Sequence, residues 1–251
     1  MFRREGGVRV KLEGVPGVGK TTLIKHFAQQ WAVGAAWVGS FDVVILLPLH
    51  FLDKALHETG APDESHLWNA VYGSVVSRTG EVVRGRRARF SAKETLHLFK
   101  LFLAHARSNN LRRLYLLDGL DEVGEEVQRR ATTAIRELSN YPNVILTTRP
   151  LGSRRLLATD RSFLLTGFPP KHQNPFIKWY MRGEPEGEHA LQKALNTHRS
   201  LQDLAHIPML LEMLCMTVQE LREGSGMLSN GSVTPMYEVA LKRMEQRWAR
   251  K

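Results

Sequence analysis

The stretch Gly14-Val15-Pro16-Gly17-Val18-Gly19-Lys20-Thr21 decides the fold of this chain. It matches the pattern G-x-x-x-x-G-K-[ST]. It is preceded by alternating apolar and charged residues at 8–13, and it is followed by apolar residues at helical spacing up to residue 31. A strand, a glycine-rich loop and a helix in this order form a phosphate-binding unit. The sequence therefore predicts an α/β domain that binds a nucleoside triphosphate.

The parts of this loop have different expected tasks. Glycines adopt the backbone conformations that turn several N–H groups toward one anion, and the following helix adds the positive end of its dipole. Lys20 is predicted to neutralise the β- and γ-phosphates, and the Thr21 hydroxyl is predicted to ligate Mg²⁺. The predicted nucleotide-binding residues in this region are Gly14, Pro16, Gly17, Val18, Gly19, Lys20, Thr21 and Thr22.

A second motif follows the apolar strand Leu114-Tyr115-Leu116-Leu117 and begins with Asp118. A carboxylate at the carboxyl end of a parallel strand projects into the crevice where such sheets bind ligands. Asp118 is therefore predicted to hold Mg²⁺, directly or through water. Asp121 and Glu122 follow on a tight turn, and one of them is predicted to orient the attacking water. The alternative is that these two residues only cap the next helix.

A third motif, Thr147-Thr148-Arg149-Pro150, stands at the end of another apolar strand. We expect Arg149 to point toward the γ-phosphate and to report its presence; the alternative is an ordinary surface arginine after a strand. The catalytic candidates are therefore Asp121, Glu122 and Arg149, and the metal-binding candidates are Thr21 and Asp118.

The order of the segments predicts two domains. Strand patterns alternate with helical patterns at first, which is typical of a P-loop NTPase: a parallel sheet with helices on both faces. The predicted strands are residues 8–13, 41–47, 114–117, 143–148 and 162–165. Later periodic segments are all helical, at residues 175–181, 189–198, 201–206, 208–222 and 235–250. We expect a nucleotide-binding domain over residues 1–167 and a small helical domain, complete or incomplete, over residues 168–251.

The excess of positive charge does not identify the kind of partner that this chain binds. The 35 Lys and Arg outnumber the 25 Asp and Glu, for a formal net charge of +10. Such a balance fits nucleic acid, an acidic protein partner or solubility alone. Arginines cluster at residues 84–89, but only Phe90 accompanies them, so the aromatic platform that stacks single-stranded bases is not evident. A P-loop ATPase acting on nucleic acid is the alternative function. A small-molecule kinase would need an acceptor pocket, and no residues define one.

Two further features concern the compartment. The longest strongly apolar run, residues 43–49, is too short to span a bilayer. The single cysteine, Cys215, stands in an apolar helical segment and cannot form an internal disulfide, which fits a reducing cytoplasm. We therefore predict a cytoplasmic protein in which Cys215 belongs to the core.

The motifs together resemble the NACHT family of signal-transduction ATPases with numerous domains. The resemblance depends on the form of residues 118–122, about 100 residues after the glycine loop, and on the stretch 146–150. It continues through residues 165–168 and 207–211 and so covers nearly the whole chain.

The resemblance implies ATP or ADP as the ligand, together with Mg²⁺. It also implies slow hydrolysis used as a switch in signalling or innate defence, with self-association through this domain. By the same resemblance Pro208 packs on the adenine. On spacing alone, Pro208 is as well placed to be the first residue of a helix.

The chain departs from the family at its ends and in its first strand. It begins about seven residues before that strand, which leaves no room for an N-terminal effector, and it ends at residue 251, before a winged helix. We therefore expect a fragment or a minimal member. Arg9 and Lys11 break the apolar pattern of a central strand, which favours an exposed strand end or a covering segment that is absent here.

Overall fold

The structure is a computed structural model, and it describes residues 7–36, 39–49, 101, 109–123, 143–150, 159–222, 237–238 and 242. By its contacts the chain divides into two compact units. The first unit joins Met1–Gly14 with Lys20–Leu164, and the second joins Val15–Gly19 with Leu165–Lys251. The predicted helix at 235–250, apart from residues 237–238 and 242, and the arginines at 84–89 lie outside the described residues.

The first unit is built on a five-stranded parallel sheet. Its strands are β1 (Val8–Glu13), β2 (Val43–Pro48), β3 (Arg113–Asp118), β4 (Asn143–Thr148) and β5 (Arg161–Leu164). They lie in the order β2-β3-β4-β1-β5, and every pairing is parallel. This sheet confirms the predicted α/β fold class, and the bounds predicted for β1 and β4 are confirmed.

The interior strands β3 and β4 are apolar on both faces. All four apolar residues of β3, residues 114–117, are at most 1% exposed, and Val144, Ile145 and Leu146 of β4 are at most 3% exposed. Strands in the middle of a parallel sheet are covered on both sides, so a continuous apolar run is what burial requires there.

Strand β1 alternates instead of being apolar throughout. Its apolar residues are buried, whereas Arg9 and Lys11 are partly exposed. Arg9 pairs with Asp160, just before β5, at 3.4 Å, and Lys11 pairs with Glu13 at 3.0 Å. Because β1 lies next to the outermost described strand, its charged face is accommodated by ion pairs that keep contact with water.

The outer strands differ from the prediction at their ends. Strand β2 begins two residues later than predicted and includes Pro48. Proline has no N–H to donate, and it is tolerated here because β2 is an outer strand of the described sheet. Strand β5 begins one residue earlier than predicted, at Arg161, and all four of its residues are exposed.

An ion pair joins the amino ends of β2 and β3. Arg112 donates its backbone N–H to Asp42 at 2.8 Å, and its guanidinium lies 2.9 Å from the same carboxylate. The Arg112 side chain, followed by the Arg112 backbone N–H, lowers the pKa of the Asp42 carboxyl. The pair lies at the end of the sheet opposite to the carboxyl ends of the strands.

Helix α1 (Lys20–Ala32) follows the glycine-rich loop directly. Its Ile24 is fully buried, and its Trp31 donates the indole N–H to the Phe41 carbonyl at 3.1 Å. The helix predicted from the apolar spacing up to residue 31 is therefore confirmed.

The second unit contains four described helices: α2 (Pro170–Tyr180), α3 (Pro185–Thr197), α4 (Arg199–Ala205) and α5 (Pro208–Arg222). The bounds predicted for α5 are confirmed. The helix predicted from residue 175 was placed wrongly, because it begins at Pro170 and contains Pro175. Proline is favoured at the first helical position, so Pro170 starts the helix, and the backbone hydrogen bond that Pro175 lacks is tolerated at an exposed position. Helix α3 likewise begins earlier than predicted, at Pro185.

These helices share one apolar core, which takes residues from all four of them. Cys215 is 3% exposed within this core, as predicted. Burial, with a smaller contribution from Glu212, raises the pKa of the Cys215 thiol to about 12. The thiol therefore stays protonated at neutral pH and behaves as a small apolar group.

A close backbone approach joins the start of the second unit to the turn before α5. Phe168 donates its N–H to the His206 carbonyl at 2.7 Å. Gly167 has φ +85°, and a Cβ at this position would overlap the His206 carbonyl oxygen. Only glycine satisfies both the left-handed conformation and the available space.

Among the described residues, no helix is both long enough and apolar enough to cross a bilayer.

Candidate nucleotide and metal site

The strand order brings three predicted motifs to one edge of the sheet. Strand β4 lies between β1, which leads into the glycine loop, and β3, which ends on Asp118. Glu13 pairs with Thr148, and Leu117 pairs with Leu146. Gly14 then donates its N–H to the Thr148 carbonyl at 3.2 Å. Parallel strands place their carboxyl ends on the same side, which is the ligand-binding edge of such sheets.

Two hydroxyls converge on one carboxylate at this edge. Thr21 donates to Asp118 Oδ1 at 3.2 Å, and Thr147 donates to the same oxygen at 2.7 Å. Thr147 Oγ1 in turn accepts the Gly119 N–H at 2.8 Å. Asp118 is 7% exposed and Thr147 is fully buried. The carboxylate is therefore held in one orientation by the protein itself.

The same arrangement fits a magnesium ion. Mg²⁺ takes oxygen ligands at about 2.0–2.1 Å in octahedral geometry, which puts neighbouring ligands about 3 Å apart. Thr21 Oγ1 and Asp118 Oδ1 lie 3.2 Å apart and are of the required chemical type. Within the described ranges, no group of three or more His, Cys, Asp or Glu side chains forms a metal site. The remaining ligands would come from phosphate oxygens and water, as is usual for Mg²⁺ bound with a nucleotide.

Lys20 is the first residue of α1, and its ammonium group folds back toward the loop. Its Nζ donates to the Gly14 carbonyl at 2.7 Å. This contact places the positive charge of Lys20 beside Gly14, the first residue of the loop.

The middle of the loop, Val15–Gly19, belongs to the second unit, where it contacts the start of α5. Met209 donates its N–H to the Gly17 carbonyl at 3.3 Å. Gly17 has φ +75°, and a Cβ there would lie 3.0 Å from Met209 and 3.2 Å from Ile207. Between these two residues, Pro208 is the first residue of α5, which is the position that its spacing predicted. Its contact with adenine stays a prediction.

A second constellation joins the turn after β3 to the residue after β4. Leu120–Glu122 form one turn of 3₁₀ helix, which confirms the predicted tight turn. The Asp121 carboxylate lies 2.7 Å from Arg149 Nε, and it also accepts the Arg149 backbone N–H at 3.1 Å. The Glu122 side chain lies over Gly119, where a Cβ would be 2.9 Å from its carboxyl carbon. The two acidic residues thus have different surroundings.

Sequence reasoning assigned no role to Thr147 and did not foresee the pairing of Asp121 with Arg149. A signal for Thr147 exists in the sequence. It is the hydroxyl residue that comes directly after the apolar run of β4, just as Asp118 comes directly after the apolar run of β3. Recognising its role requires the register of β3 against β4, which local patterns do not supply.

Replacing Thr147 by valine is expected to lower the free energy of unfolding by about 1–3 kcal/mol. Valine has the same shape but leaves the Gly119 N–H unsatisfied in a buried place. Thr148→Val is the matched control, because Thr148 is equally buried and its hydroxyl makes only a 3.4 Å contact with the Arg149 carbonyl. Urea unfolding of both variants makes the comparison, and equal losses of stability would contradict the assigned role.

Comparison with known proteins gives one family and a set of similar solved structures. The family model of the NACHT domain matches residues 9–184. Similar structures include the RuvB Holliday junction branch migration motor of Thermotoga maritima and a single-residue variant of the same RuvB. Each is 14% identical, with a TM-score of 0.39 and coverage of 95% of this chain and 61% of the other. The chain thus spans about three fifths of the length of these structures. It matches none of the curated proteins with which it was compared.

Proposed function

The chain belongs to the NACHT family of P-loop NTPases, as the motifs indicated, and on this basis we propose that it is a molecular switch controlled by ATP and ADP. In this proposal, residues 1–167 form the nucleotide-binding domain and residues 168–251 form a helical domain that responds to the nucleotide. The switch acts in the cytoplasm, in signalling or innate defence, and it self-associates in one nucleotide state.

The proposed binding site uses the residues at the carboxyl edge of the sheet. The loop at residues 14–22 receives the phosphates through its backbone N–H groups, and Lys20 neutralises the β- and γ-phosphates. Thr21 and Asp118 hold Mg²⁺, which when bound offsets the negative charge of the phosphates. The convergence of the Thr21 and Asp118 oxygens at 3.2 Å supports this assignment.

The proposed hydrolysis is slow. Arg149 contacts the γ-phosphate, and an acidic residue of the pair Asp121 and Glu122 orients the attacking water. Pro208 packs on the adenine. Slow turnover suits a switch, because the triphosphate state then persists long enough to be recognised by partners.

One observation carries the switch proposal: the hydrogen bond from the Met209 N–H to the Gly17 carbonyl. Gly17 lies in the middle of the loop that would surround the phosphates, and Met209 lies in the first turn of α5. A phosphate that shifts the Gly17 peptide therefore acts directly on the start of this helix. For a switch to result, ATP and ADP must differ in their affinity for the two conformations, typically by 1–3 kcal/mol or about 5- to 150-fold.

The proposal predicts that the mass of the particle in solution differs between saturating ATP with Mg²⁺ and saturating ADP with Mg²⁺. Light scattering after size exclusion measures it at one fixed ionic strength. Lys20→Ala is expected to give the same mass under both conditions. Equal masses for the unaltered chain under both nucleotides would refute the switch. ATP turnover that rises with added DNA or RNA, together with binding that falls steeply with salt, would favour the alternative that the ATPase acts on nucleic acid.

A further inference from the structure

We propose that Asp121 is a positioning residue that aims Arg149 at the γ-phosphate, and that Glu122 is the acidic residue of the pair that orients the attacking water. This inference rests on the proposed function, because it assigns separate tasks within the same site. It changes the expectation from the sequence, in which the two acidic residues were equivalent candidates.

Both oxygens of Asp121 are directed to one residue. Oδ1 accepts the Arg149 backbone N–H at 3.1 Å, and Oδ2 lies 2.7 Å from the Arg149 Nε. The Asp121 side chain is only 9% exposed, whereas the Arg149 side chain is 55% exposed. Asp121 therefore holds Arg149 at its backbone and at the base of its guanidinium, while the rest of that group extends toward solvent.

The atoms of Arg149 that contact Asp121 determine whether this contact orients the guanidinium or blocks its phosphate-binding edge. Arg149 contacts Asp121 through its backbone N–H, which donates a hydrogen bond, and through Nε, which forms the ion pair. Among the described residues, no hydrogen bond or ion pair of Arg149 involves Nη1 or Nη2. These two terminal nitrogens form the edge that binds a phosphate with two parallel hydrogen bonds. A contact that blocked the arginine would occupy this edge, whereas the observed contact leaves it available and restricts its direction.

The elements that carry the pair are themselves fixed. Asp121 lies in the short 3₁₀ helix, in which Glu122 donates its N–H to the Gly119 carbonyl at 3.1 Å and Leu120 is fully buried. Arg149 directly follows β4, the buried central strand of the sheet. Because Asp121 and Arg149 are both attached to fixed elements, the Arg149 side chain is already restricted and loses less conformational entropy when it binds a phosphate.

The position of Asp121 argues against a role in orienting the attacking water. An acidic residue that orients the attacking water must turn an oxygen toward that water within hydrogen-bond reach. Both Asp121 oxygens already face Arg149. Glu122 is the exposed member of the pair, its carboxyl group lies over Gly119, and within the described part of the chain it makes no hydrogen bond or ion pair with Arg149.

The test is a double-mutant cycle on Asp121 and Arg149, measured by equilibrium binding of ATP and ADP with Mg²⁺ to the full chain. Arg149→Ala is expected to reduce the preference for ATP over ADP by about 10- to 100-fold, the effect of losing a charged hydrogen bond. Asp121→Asn is expected to reduce it in the same direction by about 3- to 30-fold and, in the Arg149→Ala background, by less than about 2-fold. ADP affinity alone should change little in each variant.

Glu122→Gln serves as the contrasting variant: it should keep the preference for ATP and reduce kcat. If Asp121→Asn behaves in this way instead, with its preference for ATP intact, the positioning role is overturned. Arg149→Lys provides an independent check, since lysine keeps the charge but has no Nε for Asp121 to hold. It should lose the preference for ATP as Arg149→Ala does, and a lysine variant with an unchanged preference would also overturn the proposal.

The same measurements separate this inference from the proposed function. An unaltered chain that binds neither nucleotide, or binds both equally, refutes the γ-phosphate-sensing switch and the positioning role together. An unaltered chain that prefers ATP, combined with an Asp121→Asn variant that prefers it equally, refutes the positioning role alone.

Discussion

Replacing Lys20 by alanine is expected to weaken ATP binding by about 2–5 kcal/mol, or about 30- to 4,000-fold, the range for removing one partner of a close charge pair. Lys20 would supply the main positive side chain for the β- and γ-phosphates. Its Nζ already lies at the loop, 2.7 Å from the Gly14 carbonyl. Calorimetric titration with ATP and Mg²⁺ at fixed ionic strength measures the effect.

Lys25→Ala is the control for Lys20→Ala. Lys25 lies on the same helix, is exposed and is also a lysine, so its removal changes the net charge by the same amount. Its ATP affinity should stay within about 3-fold of the unaltered chain, because exposed charges away from the ligand are screened by salt. A similar loss in both variants would show that the overall charge, and not the position of Lys20, governs binding.

Asp118→Asn is expected to lower kcat by about 10²–10³-fold, since a bound metal contributes several kcal/mol of transition-state stabilisation. Asparagine has the shape of aspartate, and its Oδ1 can still accept the hydroxyls of Thr21 and Thr147. The variant should therefore fold normally and lose only the negative charge that Mg²⁺ requires. Steady-state hydrolysis over a range of Mg²⁺ concentrations measures this, together with nucleotide binding in EDTA, which should not change.

Asp42→Asn is the control for Asp118→Asn. Asp42 is also a strand-end carboxylate, but it pairs with Arg112 at the amino ends of β2 and β3. Its loss should leave hydrolysis within about 2-fold of the unaltered chain, as expected when an exposed ion pair remote from the ligand is broken. Hydrolysis by Asp118→Asn at the unaltered rate would remove Asp118 from the metal site.

Most of the sheet could be predicted because its signals are local. The alternation in β1 and the apolar runs of β3 and β4 each lie within six residues, and the chain has few other ways to bury them. The same holds for α5, whose first residue is a proline that suits a helix start. Helix α2 was misplaced because Pro175 has the same helix-starting signal as Pro170, and only the packing of the whole segment decides between them.

The internal arrangement of the site could be predicted only in part. The motifs identified Thr21, Asp118 and Arg149 one at a time, since each follows a loop or strand of recognisable type. The hydrogen bond of Thr147 to Asp118 joins residues 29 positions apart, and that of Arg149 to Asp121 joins residues 28 positions apart. Such contacts depend on the register and order of the strands, which no local pattern encodes.

The position of β4 between β1 and β3 has a consequence for mutational tolerance. Its apolar residues are buried on both faces, and its last residues contact both β1, which leads into the loop, and the Asp118 carboxylate. Even a substitution such as Ile145→Ala would create a cavity costing about 2–5 kcal/mol and would also displace Thr147 and the side chains at the carboxyl edge of the sheet. In a saturation library, β4 should accept the fewest substitutions of any described strand, whereas the exposed β5 should accept the most.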